Sequence, residues 1–265
     1  MAAPPGRELD HGGEIDLPGG PDAALLLHGL TGSTFELHPL AARLHAAGVR
    51  VLAPVMAGHG GAPEGLRGVP WSEWVAQAAS DLFRLRGSRR TLVVGGSMGG
   101  LVACALAHDH PGDVAGLVLL APAFELSLPG KVAAVLGRVS PLRGLVLRKS
   151  GCDVRDREMG RRNGRCALAA VPLSAVAELK ALSRAVGRVL PEVFSPALVL
   201  AGARDHTATV RGARRLAAAL GGPKDFLILA ESQHLLGIDV ERDRCVDLAL
   251  RFLERLPLPP NPTGR

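Results

Sequence analysis

The sequence predicts an α/β fold in which a mostly parallel sheet carries helices on both faces. Short apolar runs of strand length alternate with amphipathic stretches of helix length along most of the 265 residues. The runs are apolar throughout, which is typical of parallel strands buried on both sides. Glycine and proline number 33 and 20, which suits a fold with many short turns between strands and helices.

The elements follow one another in a regular order up to the middle of the chain and again near its end. Strands are predicted at 23–28, 49–54, 91–95, 114–121, 197–201 and 225–229. Helices are predicted at 36–47, 71–86, 98–109, 210–220 and 239–256. The helix at 71–86, for example, has apolar residues at 71, 75, 78, 82 and 85, a spacing that places them on one helix face.

The alternation breaks once, between Pro122 and Pro196. This stretch is predicted to contain helices and loops without a clear strand. We interpret it as a small helical cap inserted over the carboxyl edge of the sheet, where open α/β sheets bind ligands. The predicted organisation is therefore a first core part at 1–121, a cap at 122–196, a second core part at 197–256 and a disordered tail at 257–265.

Charge and cysteine usage argue against several classes of protein. The net charge is +6, and the segment 122–196 holds 13 Lys and Arg against 6 Asp and Glu. These charges lack interleaved aromatic residues, so we expect a solvated surface and no nucleic-acid partner. The four cysteines form no paired motif. No signal peptide and no membrane-length apolar run is predicted, and we expect a cytoplasmic protein.

The segment from Gly95 to Gly99 reads GGSMG, which matches the pattern Gly-x-Ser-x-Gly. A predicted strand precedes it and a predicted helix follows, as a nucleophile elbow requires. The sharp turn would hold Ser97 in a strained conformation and project its hydroxyl into the site. A phosphate-binding loop is the alternative, but the spacing of the glycines differs and no lysine is present. Ser97 is therefore the predicted nucleophile.

The segment from His28 to Gly32 reads HGLTG and follows the first predicted strand. Hydrolysis of an ester passes through an oxyanion that two backbone N–H groups can stabilise. We expect these donors to be Met98, which follows the nucleophile, and Leu30 in this loop. His28 could be mistaken for a catalytic base, but a structural role in holding the loop is favoured.

The acid and the base are predicted from their position after the nucleophile in the chain. His234 follows the last strand after a short loop, and Asp205 follows the strand at 197–201. The alternatives are His206 as base and Asp239 as acid, although Asp239 is expected to cap the final helix. His234 would take the proton of Ser97, and Asp205 would orient the imidazole. No metal and no organic cofactor is needed for this chemistry.

Taken together, these blocks resemble the carboxylesterase and monoacylglycerol-lipase branch of the α/β-hydrolase superfamily. The similarity lies in LLLHGLTGS, APVMAGHGGAPEGL, GGSMGG, AGARD and ESQHLLGID, and in their order. It implies the α/β-hydrolase fold, a small cap at about 124–194 and a substrate with a modest acyl chain. Two positions depart from the family pattern: the residues after Asp205 read His-Thr-Ala-Thr, and Gln233 stands before the base where glycine is usual.

The sequence thus predicts a serine hydrolase that cleaves short- to medium-chain acyl esters or monoacylglycerols through a Ser-Asp-His triad and an acyl-enzyme. Its expected partner is a small-molecule ester, with at most weak contact to a membrane surface, and the chain is expected to be a monomer or homodimer. A carbon–carbon bond hydrolase or an acyltransferase could use the same triad. A non-catalytic ligand receptor is a further alternative, because fold does not fix function.

Overall fold

The computed structural model describes residues 12–139, 141–149 and 153–258. A seven-stranded sheet runs through the chain in the order β1-β3-β2-β4-β5-β8-β9. Its strands are β1 (Ile15–Leu17), β2 (Asp22–Leu27), β3 (Arg50–Ala53), β4 (Arg90–Gly96), β5 (Gly116–Leu120), β8 (Ala197–Gly202) and β9 (Lys224–Leu229). β1 pairs antiparallel with β3, and every other pair in this sheet is parallel.

Helices cover both faces of the sheet, as the sequence predicts. The helices of the core are α1 (His38–Ala46), α2 (Trp71–Phe83), α3 (Met98–Asp109), α7 (Val210–Ala219) and α8 (Arg242–Arg255). α1 and α8 pack on one face, and α2, α3 and α7 pack on the other. Successive residues of a strand point to opposite faces. Accordingly Leu25 and Leu27 join the core under α3, whereas Leu26 joins the core under α8.

In the described part of the chain, the segment 122–196 consists mainly of helices and adds no strand to the seven-stranded sheet. It contains α4 (Leu128–Leu136), β6 (Val146–Arg148), α5 (Arg157–Cys166), β7 (Ala170–Pro172) and α6 (Leu173–Val189). The prediction that it has no strand is wrong, because β6 and β7 form a two-stranded antiparallel sheet. Each strand has three residues, which is too short for a period-two pattern to be recognised. The interpretation of the segment as a cap stays a prediction.

Two helices of this segment differ sharply in burial. α6 packs on α3 and α4, and its residues Leu173, Leu179 and Leu182 belong to the main core. α4 exposes a row of apolar side chains instead, at Leu128, Val132, Val135 and Leu136.

The predicted disordered tail falls mostly outside the residues that the structure describes. Of the predicted tail at 257–265, residues 259–265 lie outside the described residues. In the parts of the chain that the structure describes, no helix combines the length and apolarity needed to cross a membrane.

Candidate active site

Ser97 lies at the turn between β4 and α3, at the carboxyl edge of the sheet. Its backbone has φ 52° and ψ −111°, a left-handed conformation that is strained for a residue with a side chain. The Ser97 N–H donates to the carbonyl oxygen of Leu120 at 2.9 Å. This bond fastens the turn to β5, so the strained conformation is held from the neighbouring strand.

The glycines around Ser97 are required by close backbone packing. A Cβ atom on Gly99 would lie 2.1 Å from the carbonyl oxygen of Leu27. A Cβ atom on Gly95 would lie 2.2 Å from the carbonyl oxygen of Gly99. Because any side chain would collide with these fixed backbone atoms, the start of α3 can approach β2 and β4 only with glycine at both positions.

His234 and Asp205 meet Ser97 in a chain of hydrogen bonds. Nε2 of His234 lies 2.9 Å from Oγ of Ser97, and Nδ1 of His234 lies 2.7 Å from Oδ2 of Asp205. The side chains of His234 and Asp205 are 6% and 2% exposed. Oδ1 of Asp205 accepts from the N–H groups of Thr207 and Ala208. The three residues therefore form a buried relay whose terminal carboxylate is fixed by backbone.

Opposing effects determine the pKa of His234. Burial lowers this pKa, since the charged imidazolium is poorly solvated there. The charge of Asp205 and its hydrogen bond raise the pKa, and the charges of Asp153 and Glu36 raise it further. The net result is a pKa above the ordinary value for histidine, so the relay favours the protonated imidazolium that forms when a proton leaves Ser97.

The loop from His28 to Gly32 lies beside Ser97, where an ideal Cβ on Gly29 would approach the Ser97 Cβ at 3.1 Å. Thr31 has φ 62°, and its N–H donates to Nε2 of His59 at 3.0 Å. Within the described chain, the N–H groups of Leu30 and Met98 donate to no protein acceptor. Both predicted oxyanion donors therefore remain available to a substrate oxygen.

Both ring nitrogens of His28 are occupied by backbone. Nδ1 contacts the carbonyl oxygen of Gly29 at 2.9 Å, and Nε2 accepts from the N–H of Met56 at 3.0 Å. Burial lowers the pKa of His28 to about 3, so the ring stays neutral. This histidine joins two loops and cannot serve as the base for Ser97.

Asp153 is a functional candidate that the sequence did not reveal. Its carbonyl oxygen accepts from the N–H groups of His234 and Leu235, at 3.1 and 3.2 Å. Its carboxylate accepts from the Thr207 hydroxyl at 2.7 Å. Asp153 lies between β6 and α5, about 80 positions before His234 in the chain. No local motif marks Asp153, because its contacts depend on a long-range approach to the loop that carries His234 and Leu235, here called the base loop.

Glu36 and Lys149 both contact the loop from His28 to Gly32, here called the oxyanion loop, and the sequence predicted neither contact. The Glu36 carboxyl group is buried and accepts from the N–H of Gly29 at 3.3 Å. Burial raises the pKa of Glu36, while the charge of Lys149 lowers it. Nζ of Lys149 donates to Oγ1 of Thr31 at 3.0 Å. A carboxyl group and an ammonium group thus hold the oxyanion loop from two sides.

The alternative base His206 and the alternative acid Asp239 do not take part in the hydrogen bonds to the side chains of Ser97 and His234. His206 is exposed beside Asp205. Asp239 is fully buried, and its carboxylate accepts from four backbone N–H groups, including those of Gln233 and Arg155. The expectation that Asp239 caps the final helix is wrong, because α8 begins at Arg242 and Glu241 holds the cap position. Asp239 instead ties the base loop to the segment 122–196.

One group of side chains has the spacing of a metal site. Ligand atoms of Asp153, Asp205 and His234 lie within 4.8 Å of one another. Each of these atoms already has a protein partner: Asp205 engages the imidazole, and Thr207 engages Asp153. The same contacts serve a proton relay without a cation, and proximity alone does not indicate a metal.

Comparison with known proteins gives the family. The Hydrolase_4 family, described as serine aminopeptidase, S33, matches residues 21–241. A thermostable monoacylglycerol lipase of Bacillus sp. (strain H-257) is 26% identical over 89% of this chain and 92% of its own length. A carboxylesterase of Bacillus subtilis (strain 168) is 25% identical over 90% and 94%.

Solved structures share the fold. One described by the words "LipS and LipT, two metagenome-derived lipolytic enzymes" superposes with a TM-score of 0.85, at 24% identity, over 93% of this chain and 99% of its own. A monoacylglycerol lipase of Paleococcus ferrophilus superposes with a TM-score of 0.77, at 20% identity, over 91% and 97%. At these identities the likeness shows an α/β-hydrolase fold, as the sequence blocks predict.

Proposed function

We propose that this chain, which belongs to the Hydrolase_4 (serine aminopeptidase, S33) family, cleaves short- to medium-chain acyl esters or monoacylglycerols with Ser97 as nucleophile. At the coarser level it is a carboxylic ester hydrolase, in line with relatives named monoacylglycerol lipase and carboxylesterase. The observation that carries the proposal is the relay of hydrogen bonds from Ser97 through His234 to Asp205, at 2.9 and 2.7 Å.

The proposed reaction begins with transfer of the Ser97 hydroxyl proton to Nε2 of His234. The freed oxygen attacks the ester carbonyl carbon and forms a tetrahedral oxyanion. The N–H groups of Leu30 and Met98 stabilise that oxyanion. His234 then gives its proton to the alkoxy oxygen, the carbon–oxygen bond breaks, and the alcohol leaves. The acyl group remains on Ser97 as an ester.

Water completes the cycle by the same steps. His234 takes a proton from water, and the hydroxide attacks the acyl-enzyme to form a second oxyanion. Collapse of this intermediate returns the proton to Ser97 and releases the carboxylic acid. Asp205 keeps Nδ1 of His234 protonated and stabilises the imidazolium in both halves. Each proton taken by His234 is returned, so the enzyme ends as it began.

The carbonyl oxygen of Asp153 supports a positioning role in this scheme. Two consecutive N–H groups of the base loop, at His234 and Leu235, end on this one oxygen. The fixed peptide at His234 limits the directions in which its imidazole can point. We assign Asp153 to the placement of the base and to the electrostatic support of its charged form, and not to proton transfer.

A chain-length series of 4-nitrophenyl esters tests the proposal, run beside a monoacylglycerol and an amino-acid anilide. We expect hydrolysis of the short and medium esters and of the glyceride. Turnover of the anilide alone would instead make the chain an aminopeptidase.

A further inference from the structure

A cavity of about 520 Å³ opens in the segment 122–196, between β6 and α5. Three cationic side chains line this cavity: Lys149, Arg157 and Arg161. No carboxylate is among the described residues that line it. Its apolar wall includes Val154 and Leu168. A volume of this size accommodates a small molecule, whereas the crevice directly beside Ser97 measures about 10 Å³.

Two walls of this cavity are attached to the loops of the candidate active site. Lys149 donates to the hydroxyl of Thr31, and the N–H of Leu168 donates to the carbonyl oxygen of the same residue. Thr31 directly follows the oxyanion donor Leu30. On the other wall, Val154 follows Asp153, whose carbonyl oxygen holds the base loop. The cavity therefore borders the residues that hold both loops of the candidate active site, although none of the reacting residues lines it.

The cations of the cavity are only partly neutralised. Arg161 forms an ion pair with Glu158. Arg157 has no acidic partner within the described residues. Lys149 bonds to the neutral Thr31 hydroxyl and lies in the field of Glu36.

The arrangement of α5 concentrates this charge on the cavity. Arg157, Gly160, Arg161 and Gly164 face the cavity at helical spacing. The two glycines leave volume beside the arginines. A concave site that carries one sign of charge focuses the field and attracts the opposite charge. A guanidinium group also matches a carboxylate or a phosphate with paired N–H donors.

We propose that the cavity binds an anionic group of the substrate, so that the preferred esters carry a carboxylate or a phosphate in addition to the scissile ester. This inference rests on the proposed function, because it names the substrate class of the same site. Arg157 is the specificity-determining residue, and Lys149 directs the anion toward the oxyanion loop. Phosphate and carboxylate can both accept hydrogen bonds from these cations. A negatively charged ester should therefore have a higher kcat/KM than a neutral ester of the same length.

The test compares esters that differ only in charge. Monomethyl esters of the dicarboxylic acids from succinate to suberate carry the charge on the acyl side, and each is compared with its neutral ω-amide. Butyrate esters of an ω-hydroxy acid and of glycerol 3-phosphate carry the charge on the alcohol side, and the ester of the hydroxy amide is the neutral partner. We expect kcat/KM for at least one charged ester to exceed that of its neutral partner by about tenfold or more. Added salt should reduce this advantage.

Variants of α5 assign the effect to the cavity. Arg157→Glu places an acidic residue at the first position of a helix, which favours folding, and it should abolish or invert the preference for the charged ester. Arg165→Glu is the matched control, since Arg165 lies on the same helix and does not line the cavity. The control should keep the preference.

The outcomes separate this inference from the proposed function. Equal kcat/KM for charged and neutral esters, or a preference unchanged in Arg157→Glu, overturns the anion site while the ester hydrolase stands. If neither charged nor neutral esters are hydrolysed, the proposed function itself fails. Selective turnover of the phosphate ester over every carboxylate would identify phosphate as the anion.

Discussion

The carboxyl edge of the sheet and the segment 122–196 contribute to the site in different ways. Ser97, Asp205 and His234 all follow strands of the main sheet, and hydrogen bonds of 2.9 and 2.7 Å connect them. The segment supplies a backbone oxygen to the base loop and a cavity with three cations. We therefore expect the two regions to have different roles: the core would carry the proposed chemistry, and the segment would influence which esters reach it.

α6 joins the segment to the core through apolar packing, whereas the contact of the segment with the loop that carries His234 is polar. Asp153 reaches the base loop through its carbonyl oxygen, and Asp239 receives the N–H groups of Arg155 and Asp156. The segment can consequently affect the base without touching Ser97. If these roles are correct, substitutions of Ser97, Asp205 or His234 abolish or greatly lower the rate for every ester, whereas substitutions in the segment change the pH dependence of the rate or the preference among esters.

The largest expected effect is the loss of the nucleophile or the base. Ser97→Ala and His234→Ala should each lower kcat by about 10⁴–10⁶, because the members of a triad act as a unit. His206→Ala is the matched control and should be mild, since this ring is exposed and takes no part in the side-chain hydrogen bonds that join Ser97, His234 and Asp205. Steady-state kinetics on a short ester measures this, with circular dichroism to verify folding. A His206 variant as inactive as His234→Ala would mean that the base is wrongly assigned.

The acid of the core should come next. Asp205→Asn replaces the carboxylate that holds Nδ1 of His234, and we expect kcat to fall by about 10⁴, as the neutral amide favours the wrong tautomer. Asp225→Asn is the control. Asp225 lies near the amino end of β9, away from the carboxyl edge that carries Ser97, and forms an exposed ion pair with Arg255. Comparable losses in the two variants would contradict the assignment of the acid.

A smaller effect is expected where the segment meets the base. The rate should rise with pH as His234 loses its proton, and the midpoint should lie above the ordinary histidine value of about 6.5 because the pKa of His234 is raised. Asp205, Asp153 and Glu36 are the carboxyl groups that raise it. Asp153→Asn removes one of these charges, so the midpoint of kcat/KM should move to lower pH.

The control for this shift is Glu158→Gln, an exposed carboxylate of the same segment that does not face His234. The Glu158 variant should keep the wild-type profile. The carbonyl oxygen that holds the base loop is retained in Asp153→Asn, so a purely structural effect would lower kcat without moving the midpoint. An unmoved midpoint would therefore limit Asp153 to its backbone contact.

The smallest effect should follow from bulk in the cavity. Val154→Phe would fill part of the space beside Leu168, and we expect a change of about tenfold or less in the ratio of kcat/KM for medium and short esters. Acetate esters should react nearly as in the wild type, because no reacting group is altered. If kcat/KM fell equally for all chain lengths, the segment would act on the reaction itself and not only on the choice of ester.

How far the sequence predicts each region depends on whether its signals are local. β2, β4 and β8 are continuous apolar runs, and Gly-x-Ser-x-Gly lies directly between a strand and a helix. In a parallel sheet the loops after such strands share one edge, and the order Ser, Asp, His along the chain then selects Asp205 and His234. Most strands and helices of the core could therefore be predicted from local patterns, although the three-residue β1 was not and α8 begins three residues later than predicted.

The segment could not be predicted to the same depth. Its strands β6 and β7 have three residues each, too few for periodicity. Asp153, Glu36 and Lys149 matter because they approach the active-site loops in space. Asp239, which the sequence predicts as a helix cap, instead accepts from four backbone N–H groups. Such long-range polar contacts leave no local pattern in the sequence.

The central claim is that Ser97 is a nucleophile activated by His234, and labelling with a fluorophosphonate tests it most directly. The wild-type protein should take up one phosphonyl group per chain, which peptide mass spectrometry should locate on Ser97. Ser97→Ala should not be labelled, and His234→Ala should be labelled far more slowly, because the serine loses its general base. Labelling at another residue, or ester hydrolysis that persists in Ser97→Ala at more than a few per cent of the wild-type rate, would contradict the account.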